Sequence, residues 1–423
     1  MEPRVELGRE AGQPEASHSR TVDGAGSECI EARCPPETGL TPGTLLLFAL
    51  AAGLSVANIY YAQPLLDAMA RDLSIRAASI GIVVTVTQLG YALGLLFIVP
   101  LGDLVDRRRL IAGQGLLSAL ALVGVGSAPT ASVLLAGMLI VGLLAVVVQV
   151  LVAFAATLAP SEERGQVIGT VTSGIVIGIL LARFVSGLLA DLGGWRSVYL
   201  TSAGLTLAMA ALLYRALPSQ ERRSTAPPYP ELVRSVFVLL REEPLLRVRA
   251  VLALLIFATF SVLWTSMVLP LSAPPISLSH TGVGLFGLAG VAGALGAGRA
   301  GHLADRGWGQ WTTGSALVLM LVAWVPIAFT RSSLWALAVG VVILDLAIQA
   351  VHVTNQSMIL AARPDARSRL VGGYMVFYSI GSASGSIAST LVYARTGWPG
   401  VCALGAAISM AALLFWAATR RVT

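Results

Sequence analysis

The chain has 423 residues, 56% of them hydrophobic and only 12% charged, and a mean hydropathy of +0.80. No ordinary soluble domain approaches those values, so the chain is expected to lie in lipid. The net charge of +6 comes from 28 arginines with no lysine. Because most of those arginines sit in the gaps between apolar runs, the charge reads as a topology signal and not as a nucleic-acid footprint.

Residues 1–43 are rich in Gly, Pro, Ser and Glu, carry eight acids against four arginines, and show no apolar periodicity. They are expected to form a disordered cytoplasmic tail. No signal peptide is expected, since the first apolar run is too long for one and lacks a cleavage pattern. Twelve apolar runs follow, near 44–66, 79–100, 110–127, 132–159, 167–190, 196–217, 250–271, 282–299, 311–330, 334–361, 371–393 and 398–419. A helix of roughly 20 residues crosses a hydrocarbon layer about 30 Å thick, and fully apolar spans satisfy their backbone only as helices or closed barrels. The expectation is an all-α membrane protein with twelve transmembrane helices. Residues 218–249 contain Pro227 and Pro228 and a candidate short helix from Glu231 to Glu243. They read as a cytoplasmic linker between an N-terminal six-helix half, 44–217, and a C-terminal one, 250–423. Cys29, Cys34 and Cys402 have neither zinc-site nor redox-pair spacing.

A tandem duplication supports the two halves. Gly102-Asp-Leu-Val-Asp106-Arg107 returns 199 residues later as Gly301-His-Leu-Ala-Asp305-Arg306. Pro160-Ser-Glu162-Glu163-Arg164 answers to Pro364-Asp-Ala-Arg367 at an offset of 204, and Gly194-Trp195 to Gly397-Trp398 at 203. Three landmarks in one order at a nearly constant offset mark a repeat. The even-numbered loops with their helix ends and the C-terminal tail hold 18 arginines, and the odd-numbered loops hold five. This asymmetry places both termini in the cytoplasm, and an all-arginine basic set hints at a GC-rich bacterial genome and so at a bacterial inner membrane.

Six plus six helices with Gly-x-Leu-x-Asp-Arg and a following Arg108-Arg109 after the second span resemble the major facilitator superfamily. The resemblance covers residues 44–419. The strings Asn58-Ile-Tyr60-Tyr61-Ala-Gln63-Pro64 and Gly178-Ile-Leu-Leu-Ala-Arg183 are similar to a bacterial subgroup described as efflux permeases. The resemblance implies parallel repeats, transport by alternating access, and a central cavity lined by spans 1, 4, 7 and 10. It also implies that Gly102, Asp106, Arg107, Arg108, Glu163, Arg164, Gly301, Asp305, Arg306 and Arg367 form a cytoplasmic latch. The plainer reading is that these charges only enforce topology. On physical grounds Asp106 or Asp305 can cap the following helix, and a glycine permits a tight turn and close helix approach. In the first copy, Arg109 stands where the family often has a second glycine.

What the two halves do not share is the better guide to coupling. Arg183 in span 5 and Asp345 in span 10 have apolar counterparts, Ile387 and Val141. A charge at such depth costs roughly 2.5–3.5 kcal/mol on insertion scales and should face a cavity or a partner. Gln349, His352 and Gln356 follow Asp345 at helical spacing, with Asn355 at the stripe's edge. Asp345, Arg183 and His352 are the proton-coupling candidates, against a static Asp345–Arg183 ion pair and a hydrogen-bonding histidine. Cavity candidates are Asn58, Tyr61, Gln63, Gln88, Tyr91, Gln149, Trp264, Gln349, Asn355, Gln356, Tyr374 and Tyr378. Tyr60, Trp195 and Trp398 are expected in the interfacial aromatic belt. The glycines of spans 5, 8 and 11 (Gly169, Gly174, Gly178; Gly284, Gly287, Gly290, Gly293, Gly296; Gly381, Gly385) fit either a sliding contact between halves or static packing.

No phosphate loop, metal cluster or nucleophile–base pair is found, so neither an enzyme nor a cofactor is expected, and an ion gradient is the expected energy source. Few charges among aromatics and amides suit a neutral or amphipathic organic cargo. The expected partners are such a molecule, protons and lipid, with the monomer functional. The reading is proton-coupled export, with proton symport as the alternative and a non-transporting receptor or scaffold as the alternative of another class. Drug:proton antiporters of the superfamily carry Gly-Pro-x-x-Gly-Gly in span 5, whereas Ala182-Arg183-x-x-Ser186-Gly187 stands here.

Overall fold

A computed structural model of the protein describes residues 41–160, 163–218, 228–362 and 367–420, without the side chains of 103, 291–302, 304–305 and 362–368. Among the described residues every regular element is a helix. Among the described residues, nine stretches are long and apolar enough to cross a membrane. Two of them, Arg164–Ala216 and Arg369–Thr419, are far longer than one crossing requires. Each breaks at a glycine in the left-handed region, Gly194 with φ of 76° and Gly397 with φ of 66°. An L side chain is strained there, so the duplicated Gly-Trp landmark is the hinge between spans 5 and 6 and between spans 11 and 12. With the helix His280–Leu303 as span 8, the arrangement matches twelve spans.

Span 1 runs longer than expected, from Pro42 to Asp72, because the helix Pro42–Tyr60 continues through a 3-10 turn into the short helix Leu66–Asp72. The linker helix is Tyr229–Glu242, one to two residues from the expected ends. Its Tyr229 hydroxyl donates to the Phe97 carbonyl at the end of span 2, at 2.8 Å. Span 7 begins at Pro244, not near 250, which moves Arg249 from the linker into a transmembrane helix. Proline at the first helical position has no intrahelical N–H to lose, so this start is chemically ordinary.

Leucines such as Leu120, Leu205 and Leu414 are more than half exposed, which only lipid tolerates in such number. The aromatic belt is not where the sequence suggested. Tyr60, Trp195 and Trp398 are all buried. The Trp195 indole donates to Asp72 Oδ2 at 3.0 Å and that of Trp398 to the Ile327 carbonyl at 3.1 Å. Trp308, Trp311 and Trp335 are the widely exposed tryptophans.

Spans 5 and 8 pack together, as do spans 2 and 11, joining the first six spans to the last six. These contacts gather at the end of the bundle opposite the Gly102–Arg109 loop. There a Cβ on Gly187 would collide with the backbone of His280, and one on Gly81 with the backbone of Ser386. Thr85 Oγ1 donates to the Ala383 carbonyl across the same seam at 2.9 Å. The glycines of spans 5 and 11 divide differently. Gly174 and Gly178 press on Ala49 and Gly53 of span 1, and Gly381 and Gly385 on Leu254 and Ala258 of span 7. Those pairs lie within one half, so static packing is the correct reading for them. Gly284 and Gly287 do face span 5, around Arg183.

Candidate functional site

Arg183 and Asp345 do approach one another, but they make no direct ion pair. Trp264 stands between them. The Arg183 guanidinium carbon lies 3.9 Å from the Trp264 ring centroid, and 5.0 and 5.4 Å from the rings of Tyr60 and Phe260. The indole N–H donates to Asp345 Oδ1 at 3.2 Å. One indole thus offers its electron-rich face to the cation and its N–H edge to the carboxylate. A desolvated cation–π contact of this kind is worth about 2 kcal/mol or more. Arg183 Nε also donates to Gln63 Oε1 at 2.7 Å, while Arg183 Nη2 has no protein partner. A void of about 10 Å³ beside it, lined by Gln63, Pro64, Arg183, Trp264, Met267 and Val283, has room for about one water.

Asp345 is 5% exposed and Arg183 2%. Gly290 of span 8 makes room for the carboxylate, since a Cβ there would strike Asp345 Oδ2. Arg183 and Gln63 belong to the first half, and Trp264, Phe260 and Asp345 to the second. The charged site therefore straddles the seam between the halves.

The expected polar stripe of span 10 splits in two. Asp345 joins this seam site. His352, Asn355 and Gln356 form a second cluster two turns along. His352 Nδ1 hydrogen-bonds the Tyr374 hydroxyl at 2.9 Å, Asn355 Nδ2 donates to the same hydroxyl at 3.4 Å, and Gln356 Nε2 lies 3.4 Å from His352 Nε2. Asn355 Oδ1 and Thr313 Oγ1 each accept from Arg249 Nη1 at 3.2 Å. Arg249 is fully buried, and its Nε and Nη2 lack hydrogen-bond partners. Sequence reasoning missed this residue; Pro244 at the head of the apolar run was the signal that could have found it. An aromatic group separates the clusters: Phe257 and Tyr378 have ring centroids 4.0 Å apart, Phe257 and His352 5.1 Å, and the Tyr60 and Tyr378 hydroxyls hydrogen-bond across the seam.

The remaining cavity candidates disperse. Asn58 Oδ1 accepts from Ser202 at 2.7 Å, tying span 1 to span 6 within one half. Tyr61 is buried in the apolar core, and Gln88 is buried with Oε1 unpartnered. Gln149 Nε2 donates to the Tyr91 hydroxyl at 3.3 Å, and the Tyr91 ring meets Tyr378 edge-on across the seam. Gln349 is half-buried on the face between the two polar clusters.

In the loop after span 2, Asp106 caps the next helix by accepting from Arg108 N at 3.0 Å. Arg107 Nε donates to the Gly102 carbonyl at 2.9 Å, and Arg108 Nε to the Tyr214 carbonyl of span 6 at 2.6 Å with its guanidinium over the Tyr214 ring. Gly102 serves neither a left-handed turn nor a close approach: a Cβ there would meet its nearest side chains at an ordinary 3.8 Å. Glu163 is exposed, and Arg164 Nε donates to the Ala156 carbonyl at 2.9 Å. Arg306 is exposed. The side chains at 301, 305 and 367, with Glu162, Gly293 and Gly296, lie outside the described residues.

Comparison with known proteins identifies the family. The family model described as Major Facilitator Superfamily matches residues 48–359 and 276–423. The chain is 49% identical over 381 residues to the uncharacterized transporter YgaY of Escherichia coli O157:H7, covering 90% of this chain and 96% of that one. It is 27% identical over 354 residues to the multidrug resistance protein MdtG of Serratia proteamaculans, covering 81% and 84% respectively. A bacterial homolog of the human lysosomal transporter Spinster, solved inward-facing and unoccupied, superposes with a TM-score of 0.72 at 16% identity, covering 88% of this chain and 95% of that one. With two transmembrane halves meeting around a buried charge site, and with matches spanning nearly all of its helices, the chain belongs to the major facilitator superfamily of membrane transporters and is not an enzyme.

Proposed function

We propose that the protein exports a small amphipathic organic molecule from the cytoplasm in exchange for protons, as a monomer, by alternating access between its halves in the bacterial inner membrane. The observation that carries this reading is Trp264, stacked on Arg183 of one half and hydrogen-bonded to Asp345 of the other. An ionised Asp345 holds the indole edge and, through the indole, the Arg183 cation, which fastens the halves at this end. A proton on Asp345, which leaves the indole only a neutral acceptor, or a cargo that displaces its hydrogen bond, weakens that hold and frees the halves to part. The arginine asymmetry makes the Gly102–Arg109 end cytoplasmic and the Gly187–His280 end external. On that assignment the described conformation is closed outward. Aromatic rings around few charges suit a neutral or amphipathic cargo, and the likeness to a protein named for multidrug resistance supports export.

Reconstituted protein with a trapped pH dye should move protons when cargo candidates are added. Asp345→Asn keeps the shape and an acceptor for the indole but cannot carry the proton, so the signal should vanish while passive exchange of cargo persists. An intact proton signal in Asp345→Asn removes the coupling assignment. Proton flow in the direction of cargo movement would favour symport instead.

A further inference from the structure

Outside the seam site, three groups that the sequence placed in loops meet at the far end of the bundle. His280, the first residue of its helix and outside the apolar run 282–299, lies between two carboxylates of the other half. Its Nδ1 is 2.9 Å from Asp191 Oδ1, and its Nε2 is 3.4 Å from Asp67 Oδ1. Asp191 also accepts from the backbone N–H groups of His280 and Thr281, at 3.1 and 2.9 Å, and from the Thr281 hydroxyl at 2.6 Å. A first-half carboxylate thus caps a second-half helix, where a negative charge is favoured. Asp67 is held in turn by Arg71 at 2.9 Å.

We infer that His280, with Asp67 and Asp191, is a proton-binding site that latches the two halves shut at this end. The chemistry follows from the two ring nitrogens. A neutral imidazole has one N–H, so facing two carboxylates it must turn a lone pair toward one of them. Imidazolium donates from both nitrogens and meets both anions attractively. Parting the halves takes His280 away from both carboxylates, because they belong to spans 1 and 5 while the ring rides on span 8. Proton binding and closure therefore favour each other. Among the described residues the charged groups facing the ring are Asp67 and Asp191, with Arg71 behind Asp67; Asp72 is engaged separately by Arg196 and Trp195.

The sign follows from the Asp67 and Asp191 carboxylates beside the ring, which favour imidazolium, so closure raises the proton affinity of His280. Closure is then stabilised below the ordinary histidine range and weakens as pH rises through the raised value. On the sidedness proposed above, an acidic exterior would protonate His280 once cargo has left and return the carrier to its inward-open form. That consequence rests on the alternating-access reading; the latch itself needs only the two halves to separate.

The test uses the full chain in nanodiscs, with its three natural cysteines replaced by serine and spin labels at Ser132→Cys and Trp335→Cys, one on each half. Between pH about 5.5 and about 8.5, the range over which histidine titrates, the longer-distance population should grow, about tenfold for each unit by which closure raises the proton affinity. His280→Gln should flatten that response. Asp67→Asn, a second and milder variant, should move its midpoint to lower pH. Asp345→Asn should leave the His280-dependent part in place, which separates the latch from coupling at the seam site. A wild-type distribution that does not change with pH overturns the proposal, as does a response that survives His280→Gln undiminished. Absence of proton transport with the distance response intact would refute the export reading and leave the latch standing.

Discussion

Adding one methyl group at Gly187 should unlatch the carrier without unfolding it. Its ideal Cβ position overlaps the His280 carbonyl oxygen and lies 2.6 Å from the His280 carbonyl carbon and 2.9 Å from the Thr281 nitrogen. These are backbone atoms, so no side-chain rotation relieves the clash. Overpacking a close contact costs about 1–3 kcal/mol. Because the contact joins the two halves, the cost falls only on the state in which this end is closed. A bias of that size corresponds to roughly a 5- to 150-fold change in the ratio of open to closed forms. Gly178→Ala is the matched control. Its Cβ would lie 2.6 Å from the Gly53 carbonyl carbon, but Gly53 belongs to the same half and the contact persists in both states. The assay is maleimide labelling of Met267→Cys, which lines the void beside Arg183, in a chain lacking its natural cysteines. Gly187→Ala should speed labelling by roughly 5- to 150-fold with little change in thermal midpoint. Gly178→Ala should lower the midpoint and leave labelling unchanged. The reasoning fails if Gly187→Ala lowers the midpoint as far as Gly178→Ala does without any gain in labelling.

Other substitutions read the interior charges. Trp264→Phe keeps a ring over Arg183 but loses the N–H to Asp345. A hydrogen bond to a charged group is worth about 1.5–3 kcal/mol, so proton-driven transport should fall roughly 10- to 150-fold, and Trp264→Leu should abolish it. Wild-type flux in Trp264→Phe would show that the N–H does not connect the two charges. Arg249→Met should raise the thermal midpoint, because it removes a fully buried cation with two unpartnered nitrogens. A lower midpoint would mean that the bonds to Thr313 and Asn355 outweigh the desolvation.

Hydropathy pattern and charge asymmetry explain why the fold was legible in the sequence. Twenty apolar residues in lipid have one economical conformation, and a repeat with constant offset pairs six spans with six. The Gly-Trp landmark was legible as a repeat but not as a hinge, since only its positive φ discloses that purpose. Arg183 and Asp345 were legible because a charge among leucines is rare at any depth. Their intermediary was not, since a tryptophan in an apolar helix carries no mark of which face meets a cation. Tyr60, Trp195 and Trp398 were placed in the belt because distance along a helix says nothing of rotation about its axis.

The His280 cluster marks the limit of the one-dimensional reading. Its members lie at positions 67, 191 and 280, in three different connections, and none belongs to the repeat. Composition, periodicity and duplication are properties of neighbours along the chain, and they determined the lipid environment, the number of spans and the rare intramembrane charges. Which of those charges touch, through what ring, and which glycines lie between the halves depend on helix rotation and crossing. Those are fixed by packing among residues far apart along the chain, such as Trp264 and Asp345, separated by 81 positions, so only the tertiary structure could decide them.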